Sequence, residues 1–147
     1  MANATMVKFG FPASLVHGLE HWAVLLRPAQ VTLGSLVLAS TSEATAYGDL
    51  PEQAYVEQGR AVAAIERALT AFARYDRINY LMLMMVDPHV HFHVIPRYAQ
   101  PREWKGRTLA DAGWPGQPEL GRAVMLDSDA AGQLRGELES AFSAAPA

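Results

Sequence analysis

The segment HVHFHVIP, residues 89–96, constrains the fold more than any other part of the chain, because polar and apolar residues alternate along it with a period of two. Side chains of a β-strand point alternately to opposite faces of a sheet, so this period predicts a strand with one apolar face. The opposite face carries His89, His91 and His93, with imidazoles roughly 7 Å apart. We therefore expect a strand that packs on a core with one face and presents a row of imidazoles outward with the other.

Strands and a helix precede this segment. Two short apolar runs rich in Val and Leu, 21–28 and 34–40, are separated by a connection that contains Pro and Gly, and they predict a hairpin. Apolar residues at helical spacing then predict one long amphipathic helix over about 51–74. The uninterrupted apolar run 77–86 predicts a buried strand, and the break at residues 87–88 joins it tightly to the histidine-bearing strand.

The C-terminal third has a different composition. Residues 99–127 are dense in Gly, Pro and Trp, which predicts an irregular segment that is long for a passive loop and has a role over a binding site. Leu134, Leu138 and Phe142 are four residues apart and predict a terminal helix within 128–145. The order strand, strand, helix, strand, strand, helix indicates an antiparallel α+β fold.

Length and charge limit the organisation of the chain and its partners. At 147 residues the chain predicts a single domain over 1–147, with a core over about 15–100 and a C-terminal loop and helix extension over 101–147. The net charge is −3, so nucleic acid is not an expected partner. No run resembles a signal peptide or a membrane span, and we expect a cytoplasmic protein with no membrane partner. Without cysteine, the chemistry must come from His, carboxylates, hydroxyls or the backbone.

The row of histidines has three explanations. The first is that polar positions on an exposed strand face happen to be histidine. The second is a metal site, since two imidazoles in an HxH pattern commonly bind zinc. In that case His17, Glu20 or His21 would have to supply the remaining ligands, because Asp87 is the only carboxylate in the motif. The third is covalent catalysis, because a neutral imidazole is a good nucleophile at pH 7 and can attack a phosphorus centre.

Residues 78–98, INYLMLMMVDPHVHFHVIPRY, resemble the histidine triad family of nucleotide hydrolases and transferases, whose signature is three histidines separated by single apolar residues. The Ile-Pro-Arg that follows is common in the dinucleoside-polyphosphate hydrolase branch, and the chain is similar to the bacterial members of that branch. The order of elements agrees with the family over about 15–100. The resemblance implies an antiparallel α+β domain with one long helix and a C-terminal helix, whose sheet is extended by dimerisation in a homodimer.

The resemblance also implies roles within the triad. The middle histidine of the family motif is the nucleophile, which makes His91 the group that attacks the α-phosphorus of a nucleotide and carries it as a nucleotidyl-histidine. His93 would hold a phosphate oxygen or aid the leaving group, and His89 would orient the other two. The implied protein is an enzyme that hydrolyses or transfers nucleotidyl groups of dinucleoside polyphosphates or nucleoside phosphoramidates, with no cofactor and no metal.

Three positions outside the triad are predicted to bind substrate. Arg27 stands where many members of the family carry an Asn that holds the ribose, and Ser35 stands where a His often follows Gly in the second strand. Arg97 follows the triad, and its guanidinium could grip a phosphate. Related hydrolases often carry Gly-Asn or a Gly-rich loop just before the triad, whereas this chain has Met84 and Met85 and so lacks an expected phosphate contact.

Two functions of other classes are alternatives to the enzyme. A non-catalytic nucleotide-binding module would keep the triad and lack the phosphate-loop donors, which agrees with the two methionines. A histidine-based metal-binding protein would use the same imidazoles as ligands. Release of a nucleoside monophosphate separates the enzyme from the first alternative, and stoichiometric zinc separates it from the second.

Overall fold

The computed structural model describes residues 2–144 of the chain. Within them, three helices and nine strands follow one another, with a short 3₁₀ turn at Tyr47–Asp49. In chain order the elements are α1 (Ala4–Lys8), β1 (Leu15–Gly18), β2 (Trp22–Leu26), β3 (Ala29–Gln30), β4 (Leu36–Ser40), α2 (Glu52–Ala73), β5 (Arg77–Leu81), β6 (His91–Arg97), β7 (Arg102–Trp104), β8 (Arg107–Leu109), β9 (Val124–Met125) and α3 (Ser128–Ala144). Ala145, in the predicted terminal helix, lies outside the described residues.

The centre of the fold is a five-stranded antiparallel sheet with the strand order β1-β2-β4-β6-β5. The predicted hairpin is confirmed, because β2 pairs with β4 and Val24 lies opposite Leu38. Every residue of these two strands is buried, as their continuous apolar sequences require for strands covered on both faces. The predicted antiparallel α+β class is therefore confirmed.

Helix α2 forms where the helical spacing predicts it. Pro51 precedes its first residue and fixes the entering backbone, and Arg74 ends it in a left-handed conformation with φ of 48°. The buried stripe of the helix includes Ala61, Ile65 and Leu69, and it belongs to the same core cluster as the inner residues of the sheet. None of the helices formed by residues 2–144 is long and apolar enough to cross a bilayer.

The prediction of a strand over 77–86 is wrong in its second half. Strand β5 ends at Leu81, which pairs with His93, and the chain then leaves the sheet until β6 begins. Met84 has a positive φ of 56°, which no strand contains, and the side chain of Met85 is 87% exposed. The two strands are therefore joined by an open loop over 82–90, and not by a tight turn.

The segment 99–127 contains more regular structure than its composition predicts. Strands β7 and β8 form a small hairpin, and β9 pairs with β3. Trp104 is buried in the main core, and its Nε1 donates a hydrogen bond to Glu137 on α3 at 3.2 Å. The loop 114–118 lines a cavity with β5 and the end of β6. Among residues 2–144, the groups found next to the histidines include neither Trp104 nor the loop 114–118.

Helix α1 covers the sheet face opposite to α2. Met6 packs on Leu25 and Val37 of this face, and Phe9 and Phe11 lie beside them in the same cluster. The sheet therefore has apolar cover on both faces. The face that the sequence predicts to be open to solvent is closed by the N-terminal residues.

Candidate active site

Strand β6 positions two of the three histidines near the centre of the sheet. It lies between β4 and β5, with His91 opposite Ala39 and His93 opposite Val37. Because side chains alternate along a strand, Val94 belongs to the main core while His91 and His93 share the face covered by α1. The two imidazole rings are nearly perpendicular, with centroids 5.2 Å apart.

The two rings are buried, which corrects the expectation of an outward row. His91 is 2% and His93 is 7% exposed. The ring of Phe9 lies over both, with centroid distances of 5.6 Å to His91 and 5.8 Å to His93. On another side, residues 83–87 of the loop and the two rings line a cavity of about 110 Å³. The two rings are buried because residues far away in the sequence, such as Phe9, cover them.

The hydrogen bond at His91 determines which ring nitrogen is free. Its Nδ1 lies 2.7 Å from the backbone carbonyl oxygen of His89. A carbonyl oxygen can only accept, so Nδ1 carries the hydrogen. In the neutral imidazole the lone pair then lies on Nε2, which is the form that a nucleophile requires.

His89 does not share the position of the other two. It lies two residues before the first residue of β6, so strand alternation does not determine its direction, and its ring contacts Thr5 of α1. Its Nδ1 is 3.0 Å from Oγ1 of Thr5, and its Nε2 is 3.2 Å from a carboxylate oxygen of Glu43. Both ring nitrogens are thus occupied by protein groups. The contact of His89 with His91 is made by its carbonyl oxygen, and its role in orienting the ring stays a prediction.

The environment of His93 keeps its imidazole neutral. The pKa of His93 is lowered to about 4, chiefly by burial and then by the charge of Arg27 and by the neighbouring His91, while the carboxylate of Asp87 acts in the opposite direction. Its Nδ1 is buried and has no hydrogen-bond partner among the described residues. A buried polar atom without a partner is costly, and such atoms often belong to sites that bind a ligand.

Arg27 lies close enough to the triad for its charge to act on His93. It follows the end of β2, and its Nη1 donates to the carbonyl oxygen of Ala29 at 2.7 Å. Its Nε is buried without a partner among residues 2–144, and burial lowers its pKa. The structure brings Arg27 and the histidines together, and the contact with substrate stays a prediction.

Ser35 and Arg97, which the sequence analysis predicts to bind substrate, both make hydrogen bonds within the fold, and their contact with substrate stays a prediction. The Ser35 hydroxyl is fully buried, donates to the carbonyl oxygen of Thr32 at 2.8 Å and accepts from its N–H at 3.0 Å. Arg97 is also buried, with Nε and Nη2 on the carboxylate of Asp111 at 2.6 and 3.0 Å and Nη1 on Asn79 at 2.8 Å. The Ser35 hydroxyl and three guanidinium nitrogens of Arg97 are therefore engaged by protein groups, although Arg97 also lines the cavity beside the loop 114–118.

The residues suggested to complete a metal site lie in other surroundings. The His17 ring stacks on Phe142 at 5.0 Å. Across residues 2–144, the group of potential ligand side chains that converge within 4.8 Å consists of Glu20, His21 and Glu57, without a triad histidine. Within the part of the chain that the structure describes, the converging group that could hold a metal ion therefore lies apart from the triad.

The N-terminal residues are the part of the site that the sequence analysis missed. Thr5 and Phe9 contact the triad, and Lys8 forms an ion pair with Asp87 of the loop at 2.7 Å. The sequence contains only a weak signal for helix α1. Asn3 is a helix N-cap residue whose Oδ1 accepts from the N–H of Met6 at 2.9 Å, but the helix that follows is too short to show a hydrophobic period.

Comparison with solved structures identifies the fold. A histidine triad protein from Sinorhizobium meliloti is similar with a TM-score of 0.73 at 15% identity, over 95% of each chain. One from Bradyrhizobium japonicum gives a TM-score of 0.69 at 17% identity, over 97% of each chain. The diadenosine triphosphate hydrolase of Plasmodium falciparum gives 0.66 at 10% identity, over 88% of this chain and 76% of that one.

The chain therefore has the fold of the histidine triad proteins. No protein-family model matches the chain, and no curated protein matches its sequence. At these levels of identity the structural similarity defines the fold alone. The activity must be argued from the site.

Proposed function

We propose that this protein is a histidine triad enzyme that hydrolyses or transfers a nucleotidyl group, with His91 as the nucleophile. The observation that carries the proposal is the hydrogen bond from Nδ1 of His91 to the carbonyl oxygen of His89, which leaves Nε2 with the lone pair. The neutral ring of His93 lies beside it. This pair of imidazoles supports covalent catalysis better than metal binding, because His89 is occupied by Thr5 and Glu43.

The reaction would proceed in two displacements. Nε2 of His91 forms a bond to the α-phosphorus while the bond from that phosphorus to the leaving group breaks, which gives a nucleotidyl-histidine. Water or another acceptor then attacks the phosphorus, the phosphorus–nitrogen bond breaks, and hydrolysis releases a nucleoside monophosphate. Because His93 is neutral at pH 7, it would serve first as an N–H donor to a phosphate oxygen. The negative charge of the phosphate would raise its pKa and prepare it to protonate the leaving group.

The proposed substrates are dinucleoside polyphosphates or nucleoside phosphoramidates. Arg27 supplies a positive charge near His93 that suits an α-phosphate, and the similarity to a diadenosine triphosphate hydrolase supports the same class. The loop before β6 presents Met84 and Met85 instead of polar side chains, so contacts to phosphate would come from the imidazoles and Arg27.

Substrate entry would require the site to open. Pockets that bind small ligands usually have volumes of about 300–1,000 Å³, whereas the cavity at the triad has about 110 Å³. Apart from the two imidazoles, its lining consists of residues 83–87 of the loop. We propose that binding displaces this loop.

We also propose that the enzyme is a cytoplasmic homodimer. Strand β5 pairs with β6 on one side only and so forms an edge of the five-stranded sheet. Exposed edges are usually paired, covered or interrupted, and pairing of β5 with the same strand of a second copy would join the sheets. Among the described residues, β5 pairs with β6 alone, so its other edge is open to such pairing.

The decisive experiment measures turnover and the covalent intermediate together. Adenosine and guanosine polyphosphates and phosphoramidates are incubated with the protein, released monophosphate is quantified, and intact mass after rapid denaturation without acid reports a nucleotidyl adduct. We expect His91→Ala to lose both signals. His17→Ala, which removes an imidazole stacked on Phe142, is the control. Turnover that survives in His91→Ala contradicts the assignment of the nucleophile.

The same assay separates the alternatives. Substrate binding without product or adduct would favour a nucleotide-binding module. Activity lost on chelation and restored by zinc, together with stoichiometric zinc by elemental analysis, would favour the metal explanation. We expect chelation to leave turnover unchanged.

A further inference from the structure

Thr5 in helix α1 contacts His89 at two atoms. Its Oγ1 lies 3.0 Å from Nδ1 of the imidazole and 3.3 Å from the backbone nitrogen of the same residue. A hydroxyl has one hydrogen to donate and two lone pairs to accept with. The arrangement that satisfies all groups has Thr5 accept from the His89 N–H and donate to Nδ1, while Nε2–H donates to Glu43 at 3.2 Å.

This contact holds the peptide that orients the nucleophile. His89 precedes the first residue of β6, so its N–H is directed to the Thr5 hydroxyl and not to a neighbouring strand. Its carbonyl oxygen accepts from Nδ1 of His91 at 2.7 Å. Two hydrogen bonds therefore connect Thr5 with the ring of His91, and the backbone of His89 takes part in both.

Helix α1 is itself fixed to the sheet, so the Thr5 hydroxyl has a defined position. The side-chain amide of Asn3 donates to the carbonyl oxygens of Ser40 and Ser42, both at 2.8 Å. Ser40 ends β4, the strand that pairs with β6. Thr5 and Asn3 are both buried.

We propose that Thr5 is a positioning residue for His91. Its hydroxyl holds the His89 peptide, whose carbonyl oxygen keeps His91 in the tautomer with the lone pair on Nε2. This inference rests on the proposed function in one respect, the identity of His91 as the nucleophile. The effect on the tautomer does not depend on activity and is tested separately.

The kinetic test compares three substitutions. Thr5→Val keeps the shape of the side chain and removes the hydroxyl, and we expect kcat to fall on the order of 10²-fold with KM within about twofold, as a misplaced reacting group does. Thr5→Ser restores the hydroxyl and should keep kcat within about threefold of wild type. Thr41→Val is the matched control, because that hydroxyl donates to the carbonyl oxygen of Glu20 at 2.9 Å, away from the triad.

The second measurement uses ¹⁵N-labelled histidine and NMR at pH 7.5. In wild type and Thr5→Ser, the ring nitrogens of His91 should show one protonated and one unprotonated signal, with the hydrogen on Nδ1. In Thr5→Val the two signals should move towards a mixture of tautomers. If the wild-type protein proves inactive on every substrate, this spectrum alone still tests the role of Thr5.

Several results would overturn the proposal. One is a Thr5→Val protein with unchanged His91 signals. Another is a loss of kcat in Thr5→Val that is equally large in Thr5→Ser. A third is a loss of kcat of the same size in the control Thr41→Val. If Thr5→Val does not fold, Thr5→Ala takes its place in both measurements. If neither folds while Thr5→Ser does, the hydroxyl has only a structural role and the proposal fails.

Discussion

Acidification should destabilise the fold through His93. Its pKa is lowered from 6.5 to about 4 in the folded protein, chiefly by burial. The unfolded chain therefore binds a proton at this residue at a higher pH than the folded chain does. Stability rises with pH wherever the unfolded state binds more protons, so this contribution is complete above pH 6.5 and is lost as the pH falls towards 4.

The size of the loss follows from the two pKa values. At ~1.36 kcal/mol per pH unit, the shift from 6.5 to about 4 amounts to about 3 kcal/mol. About 2 kcal/mol of this should be lost by pH 5, because most unfolded chains are then protonated at this residue. That is a large part of the 5–15 kcal/mol that stabilises an ordinary domain.

The assay measures the free energy of unfolding in urea at several pH values between 7.5 and 4, for wild type and His93→Gln. The substituted amide does not titrate, so the free-energy difference between the two proteins should change by about 3 kcal/mol across the range. His17→Gln removes another imidazole as a control and should follow wild type. Parallel curves for wild type and His93→Gln would refute the reasoning.

Three further predictions concern the rest of the molecule. Asp111→Ala leaves the buried guanidinium of Arg97 without its carboxylate and should cost about 3–5 kcal/mol by urea unfolding; a cost under 1 kcal/mol would contradict the ion pair. Met85→Lys should change stability by less than about 0.5 kcal/mol, whereas a larger loss would restore the buried-strand interpretation. Light scattering at micromolar concentration should give about twice 16.0 kDa, and a mass of one chain would reject the dimer.

The sequence predicted those elements in which the apolar residues recur with a single period along the whole element. The alternation in β6 and the helical spacing in α2 depend on the burial of one continuous face, and the structure has both elements within two residues of the predicted bounds. The run 77–86 offers no period, because each of its last residues is apolar whether it is buried or exposed. Strand β5 ends at Leu81 instead, where the chain leaves the sheet and forms the loop whose residues 83–87 line the cavity.

The site was predicted less completely than the fold, because its partners come from distant parts of the chain. Thr5 and His89 are 84 residues apart, and no local pattern in a helix as short as α1 indicates this contact. Arg97 illustrates the opposite error. Its position after the triad suggests a ligand for phosphate, but Asp111 in the irregular segment neutralises it within the fold.

Burial of the triad has opposite consequences for binding and for chemistry. Exclusion of water keeps His93 neutral and strengthens any hydrogen bond that it makes to a phosphate, yet the same closure leaves too little room for a nucleotide. The Lys8–Asp87 ion pair links α1 to the loop that lines the cavity, and the Lys8 side chain is exposed. Such pairs contribute about 0–1 kcal/mol, so the closed arrangement is held weakly at this point. Asn3 and Met6 hold α1 on the sheet, so the segment that must move to admit a substrate is the loop, whose residues 83–87 line the cavity beside His91 and His93.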